Sequence, residues 1–324
     1  MTRETKILLT RRWPGAVEDY LGARFAVTCN ETDTPMSAGA LHETFDHYDI
    51  VCPTVSDRID VAIIGAKPRR TKLLASFGVG FDHIDTAACR IAGIRVTNTP
   101  GVLTDATADL AMTLMLAAAR RAGEGERELR AGKWTGWRPT HMLGRSLAGK
   151  TLGLVGFGRI AQATARRAHA GFGMNIVYYS RRAAPEEIVR ELNAHRADSL
   201  HALLAQSDFV SLHVPGGDET TGMIGARELA HMKNGAILVN TARGGVIDHD
   251  ALTEALSNGK LGGAGLDVYP HEPEVPAALL SLENIVLLPH LGSATQETRE
   301  AMGMRVAANV EAFVSGEALP DPVV

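Results

Sequence analysis

Short apolar runs rich in β-branched residues alternate with helix-like segments along the whole chain. This alternation predicts parallel sheets, because a parallel strand pair needs a long crossover, usually a helix, between its strands. The predicted strands of a first series are Lys6–Thr10, Ile50–Cys52, Ala62–Ile64, Leu73–Phe77 and Arg95–Thr97. Those of a second series are Thr151–Val155, Asn175–Tyr179, Phe209–His213, Ala236–Asn240, Ala264–Asp267 and Ile285–Leu288. The chain is therefore expected to adopt an α/β fold.

Two segments are candidate domain boundaries. At 324 residues the chain exceeds one average domain of roughly 100–200 residues. The turn at 98–101 and the loop at 289–292 each precede a long predicted helix, Thr104–Arg121 or Thr295–Val314. A central domain inserted into a smaller one, which is made of the two chain ends, accounts for both boundaries.

Composition excludes several classes of protein. The formal net charge is −4 without a basic block, which argues against a nucleic-acid partner. The three cysteines show no CxxC spacing, so neither a disulfide framework nor a zinc cluster is predicted. Ile7–Leu9 is too short for the core of a signal peptide, and Ala106–Ala119 falls short of the roughly 20 residues that span a bilayer. We expect a cytoplasmic protein without a membrane partner.

The strand at 151–155 runs into a glycine-rich turn, G-x-G-x-x-A over residues 156–161, and then into a helix. Gly156 permits the tight turn, Gly158 allows the backbone to approach a pyrophosphate, and Ala161 allows close packing of helix on strand. The helix N-terminus supplies free N–H groups for the anion, and Arg159 adds a positive charge. This order predicts a dinucleotide site.

The residues after the second strand of this unit indicate which dinucleotide binds. Such sites usually carry an acid there, which binds the adenosine ribose hydroxyls. This chain has Ser180, Arg181 and Arg182 instead. Guanidinium groups match phosphate geometry, so NADP(H) is predicted as the preferred cofactor and NAD(H) as a possible one.

Three further loops follow predicted strands, and each contains one candidate catalytic residue: Arg243 in N-T-A-R-G-G, Glu272 in D-V-Y-P-H-E-P and His290 in P-H-L-G-S. Open parallel sheets form their ligand crevice at the carboxyl ends of their strands. Together with the glycine-rich turn upstream, these loops predict an active site.

The chain resembles the D-isomer-specific 2-hydroxyacid dehydrogenases, and within that family the glyoxylate/hydroxypyruvate reductases. The resemblance covers nearly the whole sequence. It rests on F-G-V-G-F-D-H-I-D at 77–85, the G-x-G-x-x-A turn, the three loops above, and W-T-G-W-R-P at 134–139. It implies two doubly wound parallel-sheet domains. A Rossmann NAD(P)-binding domain (102–290) would be inserted in a smaller flavodoxin-like substrate domain (1–101 and 291–324).

The resemblance also implies roles for residues. His290 would protonate the oxygen of a 2-keto acid while hydride reaches C2, Glu272 would orient the imidazole, and Arg243 would bind the substrate carboxylate. Backbone N–H groups at Val79 and Gly80 would bind the same carboxylate, and Trp137 would reach the active site of a partner in a homodimer. The implied cofactor contacts are Thr107, Gly156, Phe157, Gly158, Arg159, Ile160, Ser180, Arg181, Arg182, His213, Val214, Pro215, Thr220, Thr241, Ala242, Asp267 and Gly292. No metal is implied.

Two alternatives remain open at this point. One is an NAD-dependent enzyme of the same family, such as a 3-phosphoglycerate dehydrogenase, although these normally carry an acid after the second strand. The other is a corepressor-like protein that senses dinucleotide and binds protein partners. The presence of Arg243, Glu272 and His290 together favours catalysis.

Overall fold

The computed structural model describes residues 4–65 and 69–324 of the chain. They form two compact units, of which one comprises the chain up to Leu103 with Ser293–Val324 and the other Thr104–Gly292. The boundaries expected from sequence lie within two residues of this division.

The first unit is built on a parallel sheet. Its elements are β1 (Lys6–Leu9), α1 (Gly15–Gly22), β2 (Ala26–Cys29), α2 (Ala38–His47), β3 (Ile50–Cys52), α3 (Val61–Ile64), β4 (Leu73–Ala75), α4 (Thr86–Ala92) and β5 (Arg95–Thr97). The strands pair in the order β2-β1-β3-β4-β5, and every pair is parallel. This is the order of flavodoxin-like sheets.

The second unit is built on a larger sheet. Its helices are α5 (Thr104–Ala119), α6 (Ala122–Arg130), α7 (Arg159–Phe172), α8 (Glu186–Glu191), α9 (Leu200–Gln206), α10 (Ala226–His231), α11 (His249–Ser257) and α12 (Ala277–Leu280). Its strands are β6 (Thr151–Val155), β7 (Asn175–Tyr179), β8 (His195–Arg196), β9 (Phe209–Leu212), β10 (Ala236–Asn240), β11 (Leu261–Leu266) and β12 (Ile285–Leu287).

These seven strands pair in the order β12-β11-β10-β9-β6-β7-β8, again all parallel. The order reverses between β6 and β9, so the chain leaves these two neighbouring strands in opposite directions across the sheet. A crevice opens at such a switch point, outside the carboxyl ends of the strands. The carboxyl ends of β6 and β9 are therefore the expected position of a ligand.

The chain then returns to the first unit through α13 (Gln296–Ser315), which packs against α1 and β4. Gly316, at φ 72°, ends this helix in the left-handed conformation. The prediction of two parallel-sheet α/β domains is confirmed. No helix described at 4–65 or 69–324 is long and apolar enough to cross a membrane.

Two details of the sequence prediction fail in the first unit. Ala62–Ile64, predicted as a strand, lies in the short helix α3, because the Asp60 carboxylate accepts the amides of Ala62 and Ile63 at 3.0 and 3.2 Å. This is an N-cap, and Gly65 at φ 73° ends the helix one turn later. The edge strand Ala26–Cys29 was not predicted, because its residues alternate between exposed and half-buried and do not form a long apolar run.

Candidate active site

The glycine-rich turn joins β6 to α7. Gly156 has φ 85°, and a Cβ atom at this position would lie 2.6 Å from the carbonyl oxygen of His213. Gly158 is the N-cap of α7, with open space around the position of a Cβ and no side chain of the described residues capping the helix. The N-terminus of α7 therefore has no capping side chain from the described part of the chain and is uncrowded at Gly158, which fits the approach of a pyrophosphate.

Ser180, Arg181 and Arg182 follow β7 beside this turn. The amide of Gly156 donates to the carbonyl of Tyr179 at 2.8 Å, so the phosphate loop and the end of β7 are directly joined. The Ser180 hydroxyl donates to the carbonyl of Arg182. Arg181 Nη1 lies 2.5 Å from Glu219 Oε2, a pairing that the sequence did not suggest.

The loop after β9 lies against the phosphate loop. The amide of His213 donates to the carbonyl of Val155 at 2.8 Å, and its imidazole Nε2 lies 2.9 Å from the Ser211 hydroxyl. Burial lowers the pKa of His213 to about 4, so its imidazole is neutral near neutrality. Thr220 Oγ1 donates to the carbonyl of Pro215 at 2.7 Å, which closes the loop on itself.

Arg243 follows β10 in a loop that the Asn240 side chain organises. Asn240 Oδ1 accepts the amide of Ala242 at 3.0 Å, and its Nδ2 donates to the carbonyl of Arg243 at 2.8 Å. Arg243 Nη1 donates to the carbonyl of Ala242 at 2.8 Å. The buried hydroxyl of Thr241 has no hydrogen-bond partner in the described part of the chain. A dinucleotide bound at the switch point would supply such a partner.

Glu272 and His290 form the central pair of the site. His290 Nδ1 lies 2.7 Å from Glu272 Oε2, and Glu272 Oε1 accepts the amide of Tyr269 at 3.0 Å. Burial raises the pKa of Glu272, but the hydrogen bond and charge of His290, the amide of Tyr269 and the charge of Arg243 outweigh burial. The pKa of Glu272 therefore lies below its ordinary value. The pair places an ionised carboxylate against one nitrogen of the imidazole.

His290 has φ 55°, an uncommon left-handed conformation for a residue with a side chain. Its amide donates to the carbonyl of Asp267 at 2.9 Å. The Asp267 carboxylate then accepts the two following amides, of Leu291 at 2.6 Å and of Gly292 at 2.8 Å. Thr107 Oγ1 on α5 donates to the carbonyl of Gly292 at 3.0 Å. This network holds the backbone of residues 290–292 against the end of β11.

Asp267 itself is almost fully buried. Burial raises its pKa above the ordinary value, against the opposing effect of the two amides and of His290. Since both of its carboxylate oxygens already accept backbone amides, Asp267 has an evident role in positioning the His290 loop.

The predicted substrate contacts Val79 and Gly80 belong to the first unit. They follow β4, and the carbonyl of Val79 accepts Asn98 Nδ2 at 2.7 Å. Trp137 lies in the second unit after α6, a helix with no buried residue, and its side chain is 81% exposed. Sequence reasoning did not identify Glu219 and Asn98, since each is recognisable only through its contact with a predicted residue, Arg181 or Val79.

A parallel sheet with a glycine-rich turn at its switch point, and an arginine and a carboxylate–imidazole pair in neighbouring loops, defines a nicotinamide-dinucleotide-dependent dehydrogenase. Residues 112–292 match the family model described as D-isomer specific 2-hydroxyacid dehydrogenase, NAD binding domain. The chain belongs to the D-isomer-specific 2-hydroxyacid dehydrogenase family and is an NAD(P)-dependent oxidoreductase.

Relatives of this chain support the assignment over its full length. It is 46% identical to a glyoxylate reductase of Thermococcus litoralis, over 98% of this chain and 96% of that protein. A D-isomer-specific 2-hydroxyacid dehydrogenase from Polaromonas, described as putative, superposes with a TM-score of 0.92 at 38% identity and covers 99% of both chains. An NADPH-dependent glyoxylate/hydroxypyruvate reductase from Sinorhizobium meliloti, in complex with NADP and malonate, gives 0.87 at 35% identity, with 99% and 97% covered.

Proposed function

We propose that this protein reduces small 2-keto acids, glyoxylate and hydroxypyruvate, to the 2-hydroxy acids glycolate and D-glycerate, with NADPH preferred over NADH. The observation that carries the proposal is the contact of 2.7 Å between His290 and Glu272, with Arg243 close enough to influence the Glu272 carboxylate. The glyoxylate reductases among its relatives support the choice of substrates.

Arg243, Glu272 and His290 each have a separate role in the reduction of the keto acid. The chemistry that a reduced nicotinamide would supply when bound is a hydride for C2 of the substrate. Arg243 binds the substrate's carboxylate and stabilises negative charge on the carbonyl oxygen. His290 gives a proton to that oxygen from Nε2, because Glu272 occupies Nδ1 and fixes the orientation of the ring.

The cofactor-binding residues proposed for this chain surround the switch point. The amides at 156–160 would hold the pyrophosphate. On the nicotinamide side, the contacts would come from Thr107 on α5 and from four residues in loops after strands, Thr241, Ala242, Asp267 and Gly292. The loop at 213–220 and Ser180, Arg181 and Arg182 would contact the adenosine side. The arginines support a preference for NADPH, because a 2′-phosphate carries close to two negative charges near neutrality.

A kinetic panel tests the proposal. We expect measurable kcat/KM for glyoxylate and hydroxypyruvate, and at low salt a value for NADPH about 30–150-fold above that for NADH. Replacing Arg181 and Arg182 together with alanine should lower kcat/KM for NADPH and leave that for NADH nearly unchanged. Equal values for the two cofactors in the unmodified enzyme would contradict the cofactor preference. If neither glyoxylate nor hydroxypyruvate is reduced with either cofactor, the proposed function is wrong.

A further inference from the structure

We infer that Glu219 is a specificity-determining residue, which tempers the preference for NADPH by holding Arg181 in an ion pair that a 2′-phosphate must displace. The inference rests on the proposed function, since it concerns the adenosine side of the same cofactor site. Glu219 lies 38 residues beyond Arg181 in sequence, and nothing in the G-x-G-x-x-A motif or in the residues after β7 identifies it.

The pair connects two loops that the phosphate loop already holds. On one side, the amide of Gly156 bonds to the carbonyl of Tyr179, immediately before Ser180. On the other side, Gly156 packs on the carbonyl of His213, the first residue of the loop that carries Glu219. The Arg181–Glu219 contact of 2.5 Å therefore lies where the ribose of a bound dinucleotide is expected, next to the pyrophosphate.

Both backbones of the pair are fixed. Arg196 Nη2 donates to the carbonyls of Ser180 and Arg181 at 2.9 and 3.4 Å. The turn that carries Glu219 is closed by the amides of Thr220 and Thr221, which both donate to the carbonyl of Gly217 at 3.0 Å. The carboxylate is thus presented to the guanidinium by ordered backbone on both sides.

The charges make Glu219 a competitor of the phosphate. A guanidinium that donates to a carboxylate must give up that contact, or share it, when a phosphate arrives. A carboxylate left beside a phosphate dianion is also repelled. Arg182 forms no ion pair within the described residues, so Glu219 restrains only one of the two arginines. NADH carries no phosphate at this position, so its binding leaves the pair intact.

The effect is moderate because both side chains are 78% exposed. Exposed ion pairs are weak and are screened by salt. We expect Glu219→Gln to tighten NADP⁺ binding about two- to five-fold at low ionic strength and to change NAD⁺ binding by a smaller factor.

Isothermal titration calorimetry of the full chain with NADP⁺ and NAD⁺, without keto acid, tests this expectation independently of turnover. Asp218→Asn is the matched control, because it removes one negative charge at the adjacent exposed residue. Glu219→Gln is also measured in an Arg181→Ala background. The gain in NADP⁺ affinity should be clearly smaller there, because the part that comes from releasing Arg181 is lost and only the direct repulsion between carboxylate and phosphate remains.

Three results would overturn the inference: unchanged or weaker NADP⁺ binding by Glu219→Gln, an equal gain in Asp218→Asn, or a full gain in the Arg181→Ala background. If Arg181→Ala still weakens NADP⁺ binding in those cases, the proposed cofactor preference survives. If Arg181→Ala and Arg182→Ala both leave NADP⁺ binding unchanged, the preference and the inference are both wrong.

Discussion

A Cβ atom on Gly244 would lie 1.9 Å from the carbonyl carbon of Tyr269, so the loop after β10 lies in direct backbone contact with the loop after β11. Arg243 precedes this glycine, and the amide of Tyr269 binds the Glu272 carboxylate. The contact therefore sets the separation between Arg243, which is proposed to bind the keto acid, and Glu272, which is proposed to orient His290.

Gly244→Ala should separate these two loops, because the methyl group cannot fit against backbone. We expect the free energy of unfolding to fall by about 1–3 kcal/mol or more, and kcat/KM to fall about 100-fold through misplacement of Arg243. Gly245→Ala is the control, since a Cβ at that exposed neighbour meets open space. Chemical denaturation measures the free energy of unfolding of each variant, and steady-state kinetics measures its kcat/KM. Equal effects of the two substitutions would show that the contact does not govern the site.

Replacement of the proposed proton donor should abolish most turnover without loss of the cofactor. His290→Ala is expected to lower kcat by about 10²–10⁴-fold, while the Kd for NADPH stays nearly unchanged. His271→Ala serves as the control, because His271 is exposed in the same loop as Glu272. Steady-state kinetics and fluorescence titration of NADPH give the two quantities. A kcat like that of the unmodified enzyme in His290→Ala would contradict the mechanism.

Local pattern was sufficient to predict most of the fold. Buried strands such as Thr151–Val155 and Ala236–Asn240 are continuous apolar runs, which parallel sheets covered on both faces require. The prediction failed where a capping side chain outweighs an apolar run, as Asp60 does at α3, and at the half-exposed edge strand β2. In both places a contact or a position in the sheet, rather than the period of the sequence, decides the structure.

The residues of the candidate site likewise include some that the sequence predicts and others that it does not. The topology of a parallel sheet brings the loops that contain Arg243 and Glu272 to the same edge, so a residue pattern can predict them. Glu219 beside Arg181, the left-handed backbone of His290 and the Gly244 contact all depend on pairings between distant segments. A single sequence contains no local signal for such pairings.

Trp137 supports the prediction of a homodimer. Its side chain is 81% exposed and lies beyond α6, a helix without buried residues, and large exposed aromatic side chains are typical interface anchors. We expect analytical ultracentrifugation at micromolar concentration to give twice the mass of the chain. Trp137→Ala should raise KM for the keto acid at least about fivefold, whereas Leu280→Ala, also exposed and apolar, should not. A fully active monomer would exclude a site shared between subunits.

His213 should make the apoprotein less stable in mild acid. Burial lowers the pKa of His213 to about 4, below the ordinary value of 6.5, so between these pH values the unfolded chain binds a proton that the folded chain does not. Stability therefore rises with pH in this window and is lost as the pH falls from about 6.5 towards 4. The loss at pH 5 should be about 2 kcal/mol. His213→Gln, which cannot take up the proton, should reduce the difference in free energy of unfolding between pH 7 and pH 5 by this amount, and the exposed His195→Gln control should not. Urea titrations at pH 7 and pH 5 measure the free energy of unfolding at each pH. If His213→Gln loses as much stability between these pH values as the unmodified protein, His213 can be protonated in the folded protein.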